Sequence, residues 1–598
     1  MMKPTVAGAL CAAGILMLGQ AGAVPAAPAA PAALAAPRAG APEARFAAIH
    51  RAEWRWRVQQ GLVRGESERG RVDPDFPRVD AASQRTRLQH WQKVMGQLDG
   101  IDAARLSAPE QVNYQVYRAQ IAAFVEALRF REYEQPVNAD SAFWTDAAYD
   151  ARQPFAAIED YRAYLTRLGR MPRYFAEQVG NMRAGLARGF TPPRVTLQGR
   201  DAALASVAGA APEDTVFYLP FKSMPAAIPA AEQAALRAQA IAAIREQVQP
   251  AHAATLAFMR GQYIPGARDT LAAERLPDGR AYYQSKIAEF TTTGMTAEEI
   301  HRTGLAEMAK IRAEMLQAIA ATGFAGDLPA FLHFLRTDPQ FYARSAEELL
   351  MRAAWIAKKF DARADQYFGY LPRRRFAIRP VPPDQAPYYT AGRGGPGVYL
   401  VNTYDLPSRA LYSLPALTLH ESAPGHAFQM PVALEQKGVP PFRRAYISAY
   451  GEGWALYAER LGTEMGIYET PYEVFGMLSY QAWRAARLVV DTGIHAKGWS
   501  RAQAQAYLRE NTALSEHEVT TEVDRYISWP GQALSYYLGQ MAIMEARARA
   551  EQALGAQFDI RAFHDTVLQL GSVPLPVLAG RIERFIAEGG KSPYPKEG

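Results

Sequence analysis

The sequence predicts a mainly α protein, a large multi-helix body enclosing a deep cleft with a small β-sheet beside a metal site. Three observations predict the helical body. Apolar residues recur at spacings of three and four from Phe46 onward, alternating β-rich stretches are few and short, and no fixed-period repeat marks a solenoid. With 598 residues, 49% of them hydrophobic and 21% charged, the chain is globular in composition and too long for one ordinary core. Its 66 Lys and Arg against 60 Asp and Glu leave +6, spread without a basic block, so nucleic acid is excluded as a partner.

Taken in order, the first segment is a signal peptide over residues 1–23. After Lys3, thirteen apolar or small residues run from Val6 to Leu18, and Ala21-Gly22-Ala23 follows as a cleavage site. Thirteen residues make only about 20 Å of helix against a hydrocarbon core of about 30 Å, so a membrane span is not expected. The single cysteine, Cys11, follows Leu10 rather than the small residue of a lipid-attachment site, which disfavours a lipoprotein. A mature chain without it has no thiol, so disulfides and cysteine ligation are excluded. Residues 24–42 are an Ala/Pro-rich linker. The expected location is periplasmic or secreted, with no stable membrane insertion after signal cleavage.

The rest divides into an N-terminal helical half, 43–270, and a C-terminal half, 271–598. Helical periodicity is strong around 108–132, 158–188, 230–262, 345–368 and 560–588. The clearest helix runs from Thr296 to about Gly323. Thr296 and Glu299 form a capping box, and Ile300, Gly304, Met308, Ile311, Met315 and Ile319 make its apolar stripe. Short strands are expected at Phe376–Val381 and Val398–Asn402, the second after the turn residues Gly394-Gly395-Pro396-Gly397.

Chemistry concentrates in residues 417–429, LTLHESAPGHAFQ. A zinc-protease helix carries His-Glu-x-x-His, whose histidines share a face while the Glu serves as base. Here the second histidine arrives two positions late. On one unbroken helix His420 and His426 would lie about 240° apart, so they can share an ion only if the helix breaks, and Pro424-Gly425 supplies the break. A third ligand is expected from AYGEGWALYAERL, residues 449–461. There Trp454, Tyr457, Ala458 and Leu461 form an apolar stripe and Glu452 and Glu459 share another face. Glu452 is the expected ligand, with Glu459 as its alternate or as the group that orients a ligand histidine.

These strings, with RLVVDTGIHAKGWS, EVDRYISWPGQALSYYLG and TTTGMTAEEIHRTGLAEM, resemble the bacterial domain-of-unknown-function family 885 over about residues 45–590. That family looks like a distant branch of the gluzincin metallopeptidases, which makes the C-terminal half metallopeptidase-like. The resemblance implies zinc held by His420, His426 and a downstream Glu, here Glu452, with Glu421 as catalytic base.

Further residues would complete a peptidase. The segment Pro387–Asn402 offers a strand edge to a peptide, with Tyr389 and Asn402 as substrate-binding candidates. Arg525, Tyr526, Gln532 and Tyr536, read as lying on a helix started by Pro530, offer a guanidinium or phenol for an oxyanion or a terminal carboxylate. Asp491 and His495, four apart on one helix, form either a cation donor to the site or an ordinary ion pair. The expected function is zinc-dependent hydrolysis of short peptides. Two rivals stand beside it, a zinc hydrolase of a non-peptide amide and a catalytically silent peptide-binding protein.

Overall fold

The computed structural model describes residues 42–64, 71–139, 141–383, 386 and 390–594. The predicted signal peptide lies outside the described residues, and so does the linker except Pro42, which opens the first helix, Pro42–Gln59. The protein is mainly α with one small sheet, and the described chain forms two compact units divided between Asp269 and Thr270.

In the first unit, the helix Ile158–Arg188 lines an aromatic core with Tyr161, Tyr164 and Phe175. The 230–262 periodicity corresponds to the helix Ala230–Ala243, a π turn at Ile244–Val248, the helix Gln249–Phe258 and a second π turn at Met259–Tyr263. One buried carboxylate is fully answered. Glu53 accepts two hydrogen bonds from Arg57, one from Trp91 Nε1 at 2.8 Å and one from the Tyr117 hydroxyl at 2.9 Å, as a charge removed from water requires.

The second unit is built around the helix Pro471–His495, which is buried almost continuously from Phe475 onward. A helix hydrophobic all round belongs in a core, and this one has helices on several sides. Among them is Ala297–Ala321, whose capping box is formed by Thr296 and Glu299 and whose predicted apolar stripe is the buried face. The helix Ser448–Glu464 packs against Ser535–Leu554 and against Leu414–Glu421, which carries the first motif histidine.

The sheet has three strands, β1 (Ala377–Pro380), β2 (Gly392–Gly395) and β3 (Val398–Val401), in the order β1-β3-β2. β1 runs parallel to β3 and β2 antiparallel, with Gly394 opposite Tyr399. The glycines read as a turn are therefore half strand. β2 is an edge, and it lies against the helix that ends at Glu421. A second correction concerns Pro530. Arg525 and Tyr526 end the preceding helix, Glu516–Ser528, and the chain then turns through Gly531 at φ +80° before helix resumes at Ser535.

Candidate metal centre

The motif helix stops at Glu421 and a new one starts at His426, with residues 422–425 between them as an irregular turn. Helix geometry alone would point the histidines apart; the turn brings their rings to 4.9 Å between centroids, perpendicular to each other. Gly425 makes the turn feasible, because a Cβ there would lie 1.9 Å from the His420 carbonyl oxygen. Trp454, on the Ser448–Glu464 helix, donates its Nε1–H to the Pro424 carbonyl at 2.8 Å. The same helix carries Glu452 and Glu459, so this bond ties both carboxylates to the turn.

Glu459, completely buried, accepts Nδ1–H of His420 at 2.8 Å. That bond fixes the ring and leaves Nε2 facing the other way, as an oriented ligand histidine requires. Nε2 of His420 and Nε2 of His426 each lie 3.5 Å from the same atom, Glu452 Oε2. Donors about 2.0–2.1 Å from a tetrahedral zinc are about 3.3–3.4 Å from one another, so two imidazoles and a carboxylate at this spacing fit that ion. The structure thus puts Glu452 between the histidines and Glu459 behind one of them.

Electrostatics follow from the same contacts. Burial raises the cost of charge on Glu452, but hydrogen bonds and charge from His420 and His426 outweigh it and hold the carboxyl well below the usual range. Burial opposes a proton on His420, and its bonds to Glu452 and Glu459 reverse the balance, lifting it to about 9.

Glu421 is only half-buried and joins the histidines within 4.8 Å. Its Oε2 accepts the Gly394 N–H of β2 at 2.5 Å. A Cβ on Gly394 would sit 1.7 Å from the Glu421 carbonyl oxygen, so only glycine lets the strand edge approach this closely.

The other predicted residues divide. Tyr389 lies outside the described residues. Asn402 staples the loop after β3: its amide donates to the Ala386 carbonyl at 2.9 Å and accepts from Tyr404 N at 3.0 Å. Both ring nitrogens of His495 are engaged by backbone: Ala273 N–H donates to its Nδ1 at 3.1 Å and its Nε2 meets the Tyr526 carbonyl at 2.8 Å. Asp491 is bound instead to the Tyr283 hydroxyl at 2.6 Å and to Gly531 N, so no ion pair with His495 forms. Arg525, Gln532 and Tyr536 do come together: the arginine donates to Gln532 Oε1 at 2.6 Å and to the Tyr536 hydroxyl at 3.2 Å. The Tyr526 hydroxyl accepts from Arg487 and Trp483.

Sequence reading missed Tyr446, Arg484 and Arg487. The Tyr446 ring lies 6.5 Å from that of His426, and burial together with the Glu452 charge holds its phenol well above the usual range. No recurring motif flags it; only its place just ahead of the Glu452 helix could have.

Fold and site define a mainly α protein with a convergent two-histidine, one-glutamate donor set and a second glutamate beside it. The chain belongs to the bacterial protein family of unknown function DUF885, which it matches over residues 57–582. It is similar to a solved protein of Colwellia psychrerythraea described as a "putative lipoprotein", with 26% identity, a TM-score of 0.81, and coverage of 92% of this chain and 99% of that one. A protein of Shewanella oneidensis, described as a "putative lipoprotein of unknown function", shares the fold at 19% identity and a TM-score of 0.65, covering 91% of this chain and 99% of that one. No curated protein matches the chain.

Proposed function

We propose that the protein is a zinc-dependent hydrolase of peptide bonds in short peptides, acting in the cell envelope. The observation that carries this reading is the convergence of His420 Nε2, His426 Nε2 and Glu452 Oε2, with the half-buried carboxylate of Glu421, held by the Gly394 N–H, beside them. His420, His426 and Glu452 would hold the ion, which when bound supplies Lewis-acid polarisation of a carbonyl and lowers the pKa of water.

The protein's own groups do the rest. Glu421, oriented by the Gly394 N–H, takes a proton from the attacking water and delivers it to the leaving amine. Tyr446, beside His426, joins Arg525 and Tyr536 as a candidate to donate a hydrogen bond toward the oxygen where negative charge develops. The outward edge of β2 aligns the peptide backbone, and a cleft walled by the long helices admits short chains. A non-peptide amide would undergo the same chemistry and is separated by substrate profiling.

Among the described residues no helix is long and apolar enough to cross a membrane. The signal peptide expected over residues 1–23 supports a mature chain outside the cytoplasm. The Colwellia psychrerythraea relative, described as a lipoprotein, supports lipid attachment, which would fall on Cys11 and runs against the preceding Leu10.

The test is Glu421→Gln, which keeps shape and removes basicity. It should retain zinc and bind peptides while losing at least ~10²-fold in single-turnover cleavage. Undiminished cleavage with zinc in place would reject Glu421 as the base. A parent chain that cleaves no member of a broad peptide library would reject the peptidase.

A further inference from the structure

The motif helix and β2 run side by side. On the helix, Leu414, Leu417 and Glu421 fall at i, i+3 and i+7 and so share one stripe. A Cβ on Gly392 would lie 3.6 Å from Leu417 Cδ2, and one on Gly394 would meet the Glu421 carbonyl, so strand and helix advance together toward the metal centre. At the other end of this pair, beside Ala391, Leu414 and Leu417, opens a cavity of about 70 Å³ that the hydrolytic chemistry does not use. At 1.5 Å per residue, the two leucines lie about 6–10 Å from Glu421 along the helix. An extended peptide covers that distance in about two to three residues.

Two cations and one anion line the cavity, Arg336, Arg409 and Glu518, with Tyr412 and Tyr480 in its wall. Glu518 is committed to its own helix: its Oε2 accepts from Ser515 N at 3.0 Å and from Ser515 Oγ at 2.9 Å in the capping box of Glu516–Ser528. Arg336 donates from Nη2 to the Thr512 carbonyl at 3.0 Å. Neither arginine forms an ion pair among the described residues, and Nε of each is buried without a hydrogen-bond partner there. Buried N–H donors are ordinarily answered, and the planar fork of a guanidinium matches a carboxylate. Size narrows the choice further. The cavity is about half the ~150 Å³ that admits benzene, so it suits a carboxylate on a short stem and not an aromatic ring.

We propose that this cavity is a specificity subsite for a carboxylate of the substrate peptide, bound by Arg409 and Arg336 about two to three residues from the bond that is cleaved. The placement relative to the cleaved bond rests on the hydrolase reading given above; the carboxylate site itself rests on the cavity. A peptide carries this group at its C-terminus or on an Asp or Glu side chain, and both present the same fork to a guanidinium.

The test uses the full mature protein carrying Glu421→Gln, so that peptides are held and not cut. Three pools of N-acetylated pentapeptides are offered: C-terminal amides without Asp or Glu, the same sequences as free acids, and amides containing one Asp or Glu. Retention is read by mass spectrometry. A carboxylate-bearing pool should be retained at least ~10-fold over the neutral amides, the free acids if the cavity takes a chain end and the Asp or Glu amides if it takes a side chain. Arg409→Met should erase that preference while Arg409→Lys keeps part of it. If Arg409→Met fails to fold, Arg336→Gln carries the same test. Equal retention of charged and neutral pools, retention of none, or a preference that survives the arginine variants overturns the subsite. In the parent protein the preferred pool should be cut about two to three residues from the carboxylate, and cleavage at the residue next to it overturns the placement along β2. Because binding is read without turnover, a carboxylate preference in a protein that cleaves nothing rejects the hydrolase and keeps the subsite; cleavage without that preference does the reverse.

Discussion

His420 and His564 are both buried imidazoles on helices of the second unit, and their surroundings separate them. Burial opposes a proton on each. At His564 little offsets it: Nδ1 meets the Tyr367 carbonyl at 2.8 Å, Nε2 the Tyr457 hydroxyl at 2.7 Å, and the imidazole falls to about 3. At His420 two carboxylates outweigh burial and the value rises to about 9. Neutral partners on both nitrogens make a histidine part of the core. One nitrogen clamped by a carboxylate, with the other aimed at a second carboxylate and a second imidazole, makes a place for a cation.

The largest effect should break this contrast most sharply. Parent protein is expected to carry about one zinc per chain, and His420→Ala and His426→Ala to carry none, by metal analysis of purified protein. His564→Ala should keep its zinc and instead lose stability, about 1–3 kcal/mol for each partner left unsatisfied. Full zinc occupancy in the first two variants would remove the metal centre. Zinc loss in His564→Ala without unfolding would show that the two histidines do not differ as argued.

Next come the glutamates, which test the contrast within the site. Glu452→Ala removes the atom equidistant from both histidines and should abolish zinc binding. Glu459→Ala removes only the group behind His420 and should weaken zinc by the ~10–100-fold typical of an outer partner, as measured by competition with a chelator. A reversed ranking would exchange their roles.

What could be read in advance follows from how local each signal is. The Thr296 capping box and the stripe from Ile300 to Ile319 are contained within one helix, and periodicity reports them directly. The break between His420 and His426 is local too, since Pro424-Gly425 cannot continue a helix. β2 was half missed because Gly392, Gly394 and Gly395 have no side chains to show strand alternation; Gly394 among them is there for close approach to Glu421. His495 misled because i,i+4 spacing reports a shared face, whereas its partners are backbone groups of Ala273 and Tyr526, 222 and 31 residues away in sequence. Arg484 and Arg487 were hidden in a helix whose composition reads as core, and only the fold shows that they converge with Arg525.

The smallest effect concerns Asp491, which sequence spacing paired with His495 and the structure gives to Tyr283 and Gly531. Burial lifts its carboxyl to about 7, against opposing hydrogen bonds from the Tyr283 hydroxyl and Gly531 N–H. The folded state therefore holds this proton more tightly than the unfolded chain, whose carboxyl has an ordinary value near 4. Between those values the native protein binds the extra proton, so this group's contribution to stability is present at low pH and is lost as pH rises through about 7. Asp491→Asn removes the titration while its Oδ1 can still accept from Tyr283 and Gly531. Tm followed from about pH 5 to about pH 8 should fall more steeply in the parent than in the variant, so that Asn gains on Asp as the solution becomes more alkaline. Parallel curves would show that Asp491 is ionised throughout, as it would be were a cation, His495 included, beside it after all.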